Sequence, residues 1–468
     1  LANRYWVAAA QQNWNDTTYW SDTSGGAGGF SVPGSSDDVT FNGSGVGNCV
    51  INAAVNVNSL NIASGYTGTF NNATNDQSIT VAGNCTLNAG TVTAGDATWT
   101  IGGNFSNAST AFTANLSTVV LTGSGVTLTS SNSDDFYNLT IASGATVTNS
   151  GNIDINGSGA ILQIDGTLTM NTSTLRLNTG GCSLRVSSTG ILQGTGTLQL
   201  LIDTRCTQQD GQITIANMIM ESRHATANSL VPGTYESPSV LFRNGDALTR
   251  VFELQSGTYI FTGDVQIANT NSGTYNFNCN VNNPNIEFRG NVTLSASAGT
   301  LNYNKGTGTI TLAPASGTKT INFFDKFVED IEIDGAGTVQ LTDGVITDSF
   351  TGTTGTIDFN GQSIETNNNF TLTSGCNIIS DADAMNACSI LVGGDFLAEG
   401  SNGDLLDLGA TASWTLWVVG SASADYVNVE YSDASSGTTI DATNSTNGGN
   451  NLNWNFITAS SGNMFLVF

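Results

Sequence analysis

The chain of 468 residues carries 11 basic and 37 acidic side chains, a formal charge of −26, yet only 10% of its residues are charged and 39% are apolar. Three lysines, Lys305, Lys319 and Lys326, and eight scattered arginines cannot release counterions from a phosphate backbone, so no nucleic-acid partner is expected. Low charge density argues against disorder and coiled coils, and no run of about 18 apolar residues exists to span a membrane, so no membrane partner is expected either.

In place of charge stand 55 glycines with abundant Thr, Ser and Asn, a composition suited to turns and strands. Residues 1–48 open the chain with Trp6, Trp14 and Trp20, a glycine run and no apolar signal-peptide core. They are read as a cap or attachment segment.

A nine-residue pattern then recurs, in which two alternating apolar stretches flank a glycine. It reads ITVAGNCTL from Ile79, WTIGGNFSN from Trp99, LQIDGTLTM from Leu162, YIFTGDVQI from Tyr259, IEFRGNVTL from Ile286 and ILVGGDFLA from Ile390, at spacings near 20 to 27 residues. Alternation places every second side chain on one face, and glycine lets the backbone bend where a Cβ would clash. The unit is a strand, a corner and a second strand, and the spacing is that of a solenoid. No stretch holds a 3.6-residue period over a dozen positions, so almost no helix is expected. The reading is an all-β parallel β-solenoid of about 19 turns at ~22 residues each. Its first half is placed at 49–204 and its second half, with the C-terminal cap, at 239–456. Between them, 205–238 breaks the pattern with His224, Pro232 and Pro238, and is read as an irregular loop or excursion.

An open solenoid edge must be covered. Trp414, Trp417 and Trp454 lie near the C-terminus as Trp6, Trp14 and Trp20 lie near the start, with only Trp99 between, so both sets are read as end caps. The apolar tail 457–468, with Phe465 and Phe468, is an attachment candidate.

Candidate chemistry is sparse. Paired carboxylates for glycan cleavage could come from Asp134 with Asp135, Glu329 with Asp330, or Asp381 with Asp383; neighbours on a strand diverge, and solvated turn acids are the preferred reading. His224 alone supports no triad. No cofactor is expected, and calcium is the metal that the Asp154–Gly157 stretch would suit, although no bidentate Glu follows. Asn104, Asn115 and Asn138 start Asn-x-Ser/Thr triplets in predicted strands and are discounted as glycosylation sites. The seven cysteines (49, 85, 182, 206, 279, 376, 388) show no zinc spacing and read mostly as buried thiols. Cys182 and Cys206, 24 residues apart, could meet on adjacent turns as a disulfide or as two stacked thiols.

The opening NRYWVAAAQQNWNDTTYWSDTSGGAGGFSVPGSSDDVTF and the closing ADYVNVEYSDASSGTTIDATNSTNGGNNLNWNF, about 70 residues in all, resemble the terminal segments of β-helical proteins encoded by tailed bacteriophages and of autotransporter-like bacterial surface proteins. That resemblance implies a right-handed parallel β-helix in a virion or extracellular setting and brings no catalytic residues with it. The expected function is a non-enzymatic virion structural protein, a fibre or decoration on capsid or tail. Its expected partners are its own copies, as a trimer, other virion proteins and host surface polysaccharide. The alternatives are a secreted or surface-anchored bacterial adhesin and a polysaccharide-cleaving tailspike.

Overall fold

The computed structural model describes residues 2–107, 112–130, 136–178, 181–201, 205–223, 228–379 and 385–457, with backbone only for 205–209 and 228. Each of the six glycine-centred segments folds as strand, corner and strand; Ile79–Val81 with Cys85–Leu87 and Asn285–Phe288 with Val292–Ala296 are two of them. The corner glycines answer a packing constraint. A Cβ on Gly103 would sit 2.5 Å from the carbonyl carbon of Gly83, and one on Gly290 2.3 Å from that of Gly263, because corners of successive turns stack backbone on backbone.

The chain divides into two compact units, Leu1–Gly245 and Asp246–Phe468. In the first, parallel strands form three columns, one strand of each per turn. One column runs through Asp37–Phe41, Ser59–Ile62, Cys85–Leu87 and Phe105–Asn107, and another through Val55–Val57, Ile79–Val81, Thr98–Ile101 and Thr118–Leu121. The register stacks like positions. Leu60, Cys85, Phe105 and Leu128 lie one above another and are buried, so each turn's inward side chains are covered by the next. Burial of such a side chain is worth roughly 1.5–3 kcal/mol.

The second unit repeats this arrangement. Phe350, Phe370 and Phe396 form an inward column with ring centroids 5.1 and 5.9 Å apart, and Phe252, Phe277 and Tyr303 form another at 5.6 and 5.8 Å. Together the units wind about 17 turns. Turn length varies: Asn291 and Thr320 are 29 residues apart, whereas the paired Ile331 and Phe350 are 19 apart. Among the described residues there is no α-helix, only a 3-10 turn at Thr17–Tyr19.

Residues 205–238 depart from the sequence reading. Gln212–Ser222 is a strand of the coil, paired in parallel with Ile191–Leu201 before it and Ser239–Asn244 after it, and Ile213, Ile215, Met218 and Met220 point inward. The alternation is present, but Ala216 and Asn217 stand at the bend where the six glycine-centred segments carry glycine, so the pattern conceals it.

At the N-terminus the first strand, Ala2–Trp6, is paired on one side in parallel with Asp37–Phe41. On its other side it meets Trp20–Ser21 antiparallel, with Trp6 opposite Trp20. The antiparallel piece covers the edge that a parallel coil leaves open. Trp6, Trp14 and Trp20 are all buried at this end. Trp20 meets Trp14 and Trp6 at centroid distances of 4.7 and 5.2 Å, and its indole N–H donates to the Trp14 carbonyl at 2.7 Å.

Asparagine and aspartate tie the turns together. Asn84 Oδ1 accepts from the Asn104 N–H at 2.9 Å, and Asn104 Oδ1 in turn accepts from the Thr127 N–H at 2.8 Å. Asn369 accepts from the Asp395 N–H at 3.0 Å, and Asp395 accepts from the Ser421 N–H and hydroxyl, both at 2.8 Å. These bonds satisfy backbone donors at corners, where strand pairing lapses. They also account for the Asn-rich composition.

Candidate binding groove

On the second unit one strand column runs through Phe327–Val328, Val345–Thr347, Ile364–Thr366, Ser389–Val392 and Trp414–Val418. Alternation along Trp414–Val418 points Trp414, Leu416 and Val418 inward and Trp417 outward. The register then sets Trp417 above Leu391, Leu391 above Glu365, Glu365 above Ile346 and Ile346 above Phe327 on the outer face. A groove of about 200 Å³ opens there, walled by Trp417, Val419, Leu391 and Glu365, with Asn367 and Gly393 at its edge. Trp417 is 46% exposed and Val419 65%.

Most polar groups around the groove are engaged inside the fold. The Asn367 amide donates to Asp348 at 3.1 Å, the Thr366 hydroxyl to the Asn368 carbonyl at 3.1 Å, the Gly393 N–H to the Thr366 carbonyl at 2.8 Å and the Val419 N–H to the Val392 carbonyl at 3.0 Å. What faces outward is apolar surface, an aromatic face, the Glu365 carboxylate and, at the edge, the rest of the Asn367 amide. At the foot of this column the Phe327 ring has the Lys305 Nζ 4.4 Å from its centroid, and Lys305 forms an ion pair with Asp348.

The remaining sequence candidates fall elsewhere. Trp414 is buried and donates to the Glu430 carbonyl at 3.0 Å. Trp454 is half-buried, donates to Ser432 Oγ at 3.0 Å and lies above Ile440 in the last paired strand, Trp454–Ile457. Trp417 is turned to the outer face by its place in the alternation. Glu329 is buried and accepts from Tyr303 Oη and the Gly306 N–H, both at 2.7 Å, while Cys279 Sγ lies 3.5 Å from that phenol oxygen. Burial pushes the Cys279 thiol and the Tyr303 phenol up from their ordinary values. Asp330 begins the next strand, and its Oδ1 is buried without a hydrogen-bond partner.

Asp154 sits within the strand Ile153–Ile155, buried and ion-paired with Arg176 at 3.2 Å, where the calcium reading wanted a turn. Among the described residues no group of three or more His, Cys, Asp or Glu side chains is placed to hold a metal. Asn104, Asn115 and Asn138 all accept backbone N–H bonds through Oδ1. Cys182 is buried with its Sγ 3.4 Å from the Gly157 carbonyl, and the ladder sets Cys206 opposite Leu184. The side chain of Cys206, together with Asp134, Asp135, His224, Asp381, Asp383, Phe465 and Phe468, lies outside the described residues.

The groove escaped the sequence reading because its members come from three turns, at 365, 391 and 417. The equal spacing of 26 residues was the available signal.

The fold defines the class: this is an all-β parallel β-solenoid protein. No family model, curated protein or solved structure matches the chain.

Proposed function

We propose that this chain is a non-enzymatic structural protein of a tailed-phage particle, a β-solenoid displayed on capsid or tail as a fibre or decoration. The observation that carries the reading is the double tie between successive turns, a backbone ladder along the strands and Asn/Asp clamps at the corners, as at Asn84, Asn104 and Thr127. Such a coil resists bending and presents a constant surface, which suits a spacer. The terminal resemblance supplies the particle setting. A trimer is the expected assembly, because appendages follow the local symmetry of the particle that bears them.

Immunogold microscopy with antibodies against the purified chain tests this. Labelling of gradient-purified phage particles supports the proposal, and labelling of the bacterial envelope alone replaces it with the adhesin reading. New reducing ends released from capsular polysaccharide would make the protein a depolymerase.

A further inference from the structure

We propose that the groove at Trp417 is a docking site for a basic side chain, lysine or arginine, presented by a partner polypeptide. The inference comes from what the groove has left to offer. Its hydroxyl and backbone donors are engaged internally and the Asn367 amide gives one N–H to Asp348, as described above, so among the described lining residues the side-chain donors left over are the second Asn367 N–H at the edge and the Trp417 indole N–H. The exposed groups are the Glu365 carboxylate, an acceptor, the Asn367 amide at the edge, and the apolar faces of Leu391, Val419 and Trp417.

A matching ligand carries several donors, no acceptor, a positive charge and an apolar stem. Lysine and arginine side chains have these properties, whereas a saccharide hydroxyl both donates and accepts and would find few donors here. The protein contains an internal precedent at the foot of the same outer column. Lys305 places its ammonium over the Phe327 ring and against the Asp348 carboxylate. At Trp417 the ring and the carboxylate are present, and among the described residues no Lys or Arg side chain lines the groove. Tryptophan is the strongest of the aromatic cation acceptors.

Charge decides the source. A second copy of this chain brings another −26, so a basic partner is favoured over self-association through this face.

The test uses the full chain labelled with 5-fluorotryptophan and followed by 19F NMR, with the Trp417 signal assigned through Trp417→Phe. The probes are short glycine peptides carrying one lysine, one arginine or one Nε-acetyl-lysine, at low salt. The lysine and arginine peptides should shift the Trp417 signal saturably and leave the signals of the buried tryptophans in place, while the acetylated peptide does nothing. Glu365→Gln, an exposed change that preserves the side-chain shape, should weaken binding about two- to five-fold. Equal affinity in Glu365→Gln, an equal response to the acetylated peptide, or a response to maltotriose without one to lysine would each overturn the proposal.

Discussion

Replacing Trp20 by alanine removes the centre of the N-terminal aromatic cluster. Trp20 is fully buried, touches Trp6, Trp14 and Phe41 in edge contacts, and donates to the Trp14 carbonyl. Truncating a buried aromatic ring to alanine costs about 3–5 kcal/mol. Trp20→Phe keeps most of the ring but leaves the Trp14 carbonyl without its donor, for a loss of about 1–3 kcal/mol. Hydrogen exchange at the Ala2–Trp6 amides reads the effect locally, since that strand lies between Trp20–Ser21 and Asp37–Phe41. A loss of ~3 kcal/mol speeds exchange through opening by roughly a hundredfold. Uncovering the edge should also produce concentration-dependent association, visible by light scattering. Exchange within tenfold of the parent in Trp20→Ala, with no association, would refute the view that this cluster closes the coil.

Phe370→Ala should destabilise the second unit by about 3–5 kcal/mol, because the ring lies between Phe350 and Phe396, whereas Phe370→Leu should cost less than half as much; denaturant titration compares them. Hydrogen bonds from Ser59 Oγ and Asn58 Nδ2, at 2.6 and 2.7 Å, hold the Asp38 carboxyl below the ordinary carboxylate value. A lowered folded pKa adds stability above the unfolded value of about 3.9, and that stability is lost as pH falls from there through the folded value. Asp38→Asn should therefore flatten the dependence of urea midpoints on pH below about 4, and identical slopes would contradict this. Burial pushes Cys85, Cys376 and Cys388 up to about 12 and raises Cys49 and Cys279 as well. Iodoacetamide at pH 8 should leave these five thiols unmodified in the folded chain and label all five in denaturant, as peptide mass mapping would show.

The architecture was legible because a parallel coil writes its geometry into short segments. Alternation in ITVAGNCTL and IEFRGNVTL marks the strands, and the glycines mark corners that stack on one another. Where a corner lacks glycine, as at Ala216–Asn217, the same strand pattern passes unnoticed. Tryptophan was the weaker guide. Trp6, Trp14 and Trp20 do gather over the first turn, but whether Trp417 lies inside or outside depends on one step of alternation from Trp414. The groove needs Glu365, Leu391 and Trp417 in register, and register is set by turn lengths that vary along the chain. A local pattern cannot carry that information.

The stacking of corner on corner makes the length of such a protein a counted quantity. Each complete turn adds about 4.8 Å along the axis and leaves every other turn with the neighbours it needs. Duplicating or deleting one full turn therefore resizes the molecule in fixed increments, whereas removing a few residues shifts every column past its partner. Selection for reach can act here as on a ruler with even divisions.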